Sequence, residues 1–146
     1  MRKNIQALQD IVSRKGSSKV LTFSIPHVLK ALQLLNAEKF VSRATFGKEI
    51  HLGEGAVKTL ILHLKEAGMI DTTKSGTFLT EKGHKIINQI QSVIPKECKI
   101  KTCSILQGKH NHAVVLKNYS SIVKTGLEQR DYAILYGSSG CTTMIY

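Results

Sequence analysis

One segment constrains the fold more than any other: in residues 52–70, Val57, Leu60, Ile61 and Leu64 recur at i, i+3, i+4 and i+7, and Gly68 follows. That spacing predicts a helix over 54–67 with one apolar side, closed by a glycine that supplies a left-handed stop. Leu52-Gly53-Glu54-Gly55 reads as a tight turn ahead of it. Further upstream, Ser42 can cap a two-turn helix over 43–50 that buries Phe46 and Ile50. Downstream, 69–73 reads as a strand, Lys74-Ser75-Gly76 as a turn and 77–79 as the returning strand of a hairpin. A chain with this succession has to pack a short helix against a longer one with a hairpin beside both.

The flanks extend the pattern. Ile5, Leu8, Ile11 and Val12 predict a short amphipathic helix over 3–14, ending at Gly16-Ser17-Ser18. Ser24 as a cap and Pro26 in the first turn announce a second helix, with Val28, Leu29, Leu32 and Leu35 on one face up to Asn36. Thr80 caps a helix over 81–94 lined by Ile86, Ile87, Ile90 and Ile94, and Pro95 ends it. Beyond Pro95-Lys96 the reading is a strand from Lys99 to about Leu106, a strand from His112 to Lys117, a helix over 120–136 stopped by Gly137, and a last strand over 140–146. Tyr132, Ile134 and Tyr136 would also suit a strand. The chain divides as 1–23, a leading helix and linker; 24–95, the helix-and-hairpin domain; and 96–146, a small α/β domain.

The order helix, helix, tight turn, helix, hairpin, helix over 26–94 resembles the winged helix-turn-helix of bacterial and archaeal transcription regulators. Leu52-Gly53-Glu54-Gly55-Ala56-Val57-Lys58-Thr59-Leu60-Ile61-Leu62-His63-Leu64-Lys65-Glu66-Ala67-Gly68-Met69-Ile70 resembles the turn and recognition helix of that family. Phe78-Leu79-Thr80-Glu81-Lys82-Gly83 is similar to its join from wing to helix. Gly47 departs from the pattern, standing where such helices often carry a larger apolar residue. Gly126-Leu127-Glu128-Gln129-Arg130-Asp131-Tyr132-Ala133-Ile134, with Gly137-Ser138-Ser139-Gly140-Cys141-Thr142-Thr143, is similar to the C-terminal domain of uncharacterised archaeal winged-helix proteins. That second resemblance implies ligand sensing or dimerisation attached to a DNA reader, with Arg130, Asp131, Ser138 and Ser139 as its candidate residues.

The residues support a DNA reading independently. With Val57, Leu60, Ile61 and Leu64 inward, the opposite side of the helix presents Gly55, Lys58, Thr59, Leu62 and Lys65. A helix in the major groove reads base edges with its N-terminal residues, and small Gly55 and Ala56 permit close approach there. Lys58 and Thr59 are the leading base or phosphate contacts. Arg43 and Lys48 on the preceding helix, with Lys74 and Thr77 at the wing, suit phosphate or minor-groove contact. Glu54 could accept from cytosine, but an acidic first-turn residue favoured by the helix dipole is the preferred account.

Charge bears on the partner. Lysine and arginine number 21 against 10 acidic residues, a formal +11. Residues 1–95 hold 14 basic and 7 acidic side chains and 96–146 hold 7 and 3, so the excess spans both halves and the helix pattern has to carry the DNA assignment. No apolar run suits a membrane span, and three cysteines do not make a disulfide framework, so a soluble cytoplasmic protein is expected.

Competing chemistry is thinner. Cys98, Cys103, His110 and His112 form C-x4-C-x6-H-x-H, but Cys98 and Cys103 are an odd number apart and on a regular strand face opposite ways. Gly137-Ser138-Ser139-Gly140 could make an anion nest beside Arg130, or simply cap the helix before it. No nucleophile elbow or other catalytic signature is present. The expectation is an α+β transcription regulator without catalytic residue or cofactor. It would bind double-stranded DNA as a homodimer, with a small-molecule effector as a further partner. An RNA-binding module, a protein-interaction scaffold and a small zinc protein are the alternatives.

Overall fold

The computed structural model describes residues 2–13, 21–106 and 108–146, which form two compact units, Met1–Ile90 and Gln91–Tyr146. The first opens with α1 (Arg2–Val12), where Leu8 and Ile11 are buried. The stop expected at Gly16-Ser17-Ser18 lies outside the described residues. Helix α2 (Ile25–Ala37) starts where Ser24 and Pro26 direct it. The Ser24 amide donates to Nδ1 of His27 at 3.1 Å, and Pro26 occupies the first turn, where helix amides lack partners in any case. Its buried face is Val28, Ala31, Leu32 and Leu35.

Helix α3 (Arg43–Ile50) is capped by Ser42, whose Oγ accepts from the Thr45 amide at 3.1 Å, and it packs Phe46 and Ile50 toward α4 (Glu54–Glu66). A Cβ on Gly47 would stand 3.1 Å from the Leu52 carbonyl, so the turn's backbone lies where a larger residue would project. In α4, Val57, Leu60, Ile61 and Leu64 are buried as their spacing predicts, and His63 joins them at 8% exposure. Nδ1 of His63 donates to the Ile11 carbonyl at 2.7 Å, an acceptor in the last turn of α1, the part of a helix whose carbonyls look outside it for donors. The His63 ring also meets Phe23 edge-on, with centroids 5.8 Å apart. Helix α1 is thereby part of the same core.

Gly68, at φ +68°, ends α4 in a two-bond cap: its amide donates to the Lys65 carbonyl at 2.9 Å, and the Met69 amide to that of Leu64 at 3.0 Å. Strands β1 (Ile70–Thr73) and β2 (Gly76–Leu79) then pair antiparallel, Ile70 opposite Leu79. Val41, from the connection between α2 and α3, pairs with Thr77 through two 2.9 Å bonds and adds a one-residue third strand beside β2. Helix α5 (Glu81–Val93) buries Ile86, Ile87 and Ile90. Asn4 on α1 donates to Gln89 on α5 at 2.6 Å. Leu8 and Ile11 of α1 and Ile86, Ile87 and Ile90 of α5 therefore belong to the core of this unit.

The boundary between units falls inside α5. In the second, β3 (Lys96–Ile100) and β4 (Asn111–Val115) are antiparallel, in register from Lys96 opposite Val115 to Ile100 opposite Asn111. The first strand thus starts straight after Pro95 and stops at Ile100, short of the expected Leu106, because its partner ends at Asn111; only a bridge joins Cys103 to Leu106. The single helix expected over 120–136 is a 3-10 turn, Ser120–Ile122, followed by α6 (Leu127–Leu135). Gly126, at φ +77°, breaks their continuity, since that conformation cannot continue a right-handed helix. Residues 140–146 form no ladder and are not the expected last strand. With an antiparallel hairpin and one helix, this unit is α+β in build, and so is the whole chain. None of its described residues is buried. Among the described residues no helix is long and apolar enough to cross a membrane.

Candidate nucleic-acid interface

The surface of interest is the side of α4 that the core does not use. Both ends of the helix are anchored before that side can be considered. At its start, Gly53 accepts the Val57 amide at 3.0 Å and the preceding turn rests on Gly47. At its end, Thr80 and Lys82 hold the exit: Thr80 Oγ1 donates to the Gly68 carbonyl and Lys82 Nζ to that of Ala67, both at 2.7 Å. A lysine on the last carbonyls also complements the negative end of the helix dipole. Thr80 Oγ1 in turn accepts the Gly83 amide at 3.2 Å, capping α5. A Cβ on Gly83 would collide with the Met69 carbonyl and come within 2.9 Å of Leu79, so α5 lies directly on the chain leaving α4.

On the side facing away from this frame, Gly55, Lys58, Leu62 and Lys65 are exposed and Thr59 is half-exposed. Among the described residues nothing lies within 4 Å of where a Cβ on Gly55 would stand. Thr59 Oγ1 donates to the Gly55 carbonyl at 3.0 Å, which leaves the hydroxyl's acceptor side outward. Leu62, at 54% exposure, is the apolar member of the row. Arg43 and Lys48 on α3 are exposed, as is Lys74 at the hairpin tip.

Thr77 is a correction. It is 3% exposed, and its backbone is bound to Val41. Residues two apart on a strand share a face, so Thr77 points inward with Leu79 and is no wing contact.

Two acidic partners belong to this surface and were not anticipated as such. Glu54 Oε1 lies 2.8 Å from Lys58 Nζ, an i,i+4 pair, and Asp71 Oδ1 lies 2.8 Å from Lys65 Nζ, which also reaches Thr72 Oγ1 at 3.3 Å. Lys58 holds the Glu54 carboxyl below its ordinary range, through its hydrogen bond first and its charge second, with Arg43 adding a smaller push. The Lys65 hydrogen bond, then the Thr72 amide and then the Lys65 charge do the same for Asp71. The Glu54–Lys58 spacing was legible in the sequence; the meeting of Asp71 with Lys65 depends on how the hairpin turns back.

The remaining candidates are in the second unit, where the structure uses them locally. Arg130 Nε and Nη2 donate to the adjacent Asp131 at 3.1 and 2.9 Å. The amides of Gly137 and Ser138 donate to the Ile134 and Ala133 carbonyls, a two-bond cap of α6, and the Gly140 amide donates to Ser138 Oγ. The Gly137, Ser138 and Gly140 amides are thus engaged inside the loop. Cys98 and Cys103 are exposed thiols, and His112 stands 3.6 Å from Glu97. Neither these residues nor His110 are brought into a common site: among the described residues no three histidine, cysteine or acidic side chains group as metal ligands would.

Element order, the anchored fourth helix and the hairpin give the first unit a winged-helix architecture, similar to that of DNA-binding regulator domains, and a small α+β region follows it. Residues 27–94 match the family described as "CggR N-terminal DNA binding domain", and residues 106–146 match "Domain of unknown function (DUF4443)". Among solved structures the chain is similar to hypothetical protein PH0730 from Pyrococcus horikoshii OT3, with TM-score 0.61 and 28% sequence identity over 81% of this chain. It spans 59% of that protein's length. No curated protein matches at a significant level.

Proposed function

We propose that the chain is a non-enzymatic transcription regulator that reads duplex DNA with α4 in the major groove and the wing against the flanking backbone. The carrying observation is the exposed row on α4, with Gly55 at its head. A glycine in a helix costs about 1 kcal/mol relative to alanine. Among the described residues nothing occupies the space its missing side chain leaves. Close approach of a base pair or phosphate is what that space admits. Lys58 and Thr59 follow on the next turn, Leu62 suits a thymine methyl, and Lys65, Lys74, Arg43 and Lys48 suit phosphates.

Selection from a random duplex pool identifies the bound sequence, with structured RNA as competitor to test the polymer. Lys58→Ala and Thr59→Ala are each expected to weaken binding to the selected duplex, by about 1–3 kcal/mol for a base contact. Wild-type affinity in both variants would overturn the assignment of α4.

Homodimerisation is part of the same proposal. Its support is the second unit, which has no buried described residue while Tyr132, Leu135 and Tyr136 are 66%, 74% and 48% exposed. A dimer places two half-sites about 34 Å apart. Sedimentation at working concentration, together with paired footprints at that spacing, tests it.

A further inference from the structure

Both lysines on the exposed row of α4 are already held by carboxylates of the same chain. Glu54 is 77% and Asp71 52% exposed at the side chain, so neither is a buried structural acid, and each stands 2.8 Å from its lysine. The two pairs sit at opposite ends of the helix, one in its first turn and one reaching from its last turn to β1. On a chain of net charge +11, these are the positions where unrestrained lysines would bind any phosphate backbone.

We propose that Glu54 and Asp71 are specificity-determining residues that compete with DNA phosphate for Lys58 and Lys65. The inference rests on the reading of α4 as the DNA-contacting helix. A phosphate approaching either lysine has to replace a carboxylate already in contact and then lies beside that carboxylate's freed charge. The lysines therefore add little to binding of arbitrary duplex. A cognate sequence also offers base edges to Thr59 and Leu62, contacts the carboxylates do not oppose, and these offset the displacement of Glu54 and Asp71 so that Lys58 and Lys65 engage as well.

The test measures affinity for a random-sequence duplex against salt concentration in the full chain, for wild type, Glu54→Gln, Asp71→Asn, Lys58→Ala and the double variant Glu54→Gln with Lys58→Ala. Each amide variant is expected to bind arbitrary duplex about two- to fivefold more tightly, the range of an exposed ion pair. Its salt slope should steepen by up to about 0.9 per lysine released. The gain from Glu54→Gln should vanish in the Lys58→Ala background, since the competition acts through that lysine. Glu54 also stabilises the start of α4, and loss of that role alone would lower the melting temperature and weaken binding, the opposite sign. Unchanged or weaker binding in both amide variants overturns the proposal, as does a gain that persists without Lys58, which would mark a general charge effect. If wild type binds no duplex at all, the DNA reading fails and this inference with it; if wild type binds and the amide variants gain nothing, only this inference fails.

Discussion

Three glycines separate backbone geometry from function at the level of single residues. Gly68 adopts φ +68° to close α4, a demand of the backbone. Gly83 leaves room for the Met69 carbonyl, a demand of packing. Gly55 answers neither. Gly83→Ala should cost about 1–3 kcal/mol through overpacking, measured as a lower denaturant midpoint. Gly55→Ala should do the reverse, raising stability by up to about 1 kcal/mol while weakening duplex binding. A Gly55→Ala protein that bound DNA as well as wild type would remove the reason given for that glycine. The paired carboxylates add a pH signature. Because their folded proton affinities are lowered, their contribution to stability is present at neutral pH and lost as pH falls through the lowered folded values, below the ordinary carboxylate range. The melting difference between wild type and Glu54→Gln should therefore shrink in acid.

At the scale of elements, α4 is held from three directions: by the turn over Gly47, by Thr80 and Lys82 at its exit, and by His63 reaching to α1. The last is the least expected, since a histidine beside Leu64 on a basic helix reads as a surface residue until α1 is placed. His63→Leu keeps much of the apolar contact but leaves the Ile11 carbonyl without its donor, a cost of about 1–3 kcal/mol if that carbonyl remains buried. Limited proteolysis should then cut near the end of α1 sooner than in wild type. Equal resistance would show that α1 is held by Leu8 and Ile11 alone. The Val41 pairing was hidden for a related reason: a strand one residue long has no alternation to detect, and only its partner Thr77 reveals it.

For the whole molecule the contrast is between a unit with a continuous core and one with no buried side chain among its described residues. Of the large apolar side chains in the second unit, Ile105, Leu116, Ile122, Leu127 and Met144 are at least half exposed. A two-stranded sheet without a buried face is marginally stable by itself. Hydrogen exchange on a dilute sample should accordingly find slow amides in α2, α4 and α5 and fast ones across β3 and β4. Comparable protection in both units would contradict that division. Protection that appears in β3 and β4 only at high protein concentration would favour the proposed assembly.

Local order in this chain carried much of the first unit. Helical periodicity over 57–64, the caps at Ser24 and Ser42 and the stop at Gly68 act over three or four residues, and each could be read from neighbours alone. The exposed row on α4 followed from the same periodicity. Contacts between distant segments were different in kind: the burial of Thr77 against Val41, the pairing of Asp71 with Lys65 and the anchoring of α1 by His63 arise where the chain folds back on itself. Weak alternation after Pro95 misled because strands need a partner, and residues 140–146 have none among the described ladders. Short-range geometry set the helices and the face they offer; long-range packing set which residues of that face are available and which are already engaged.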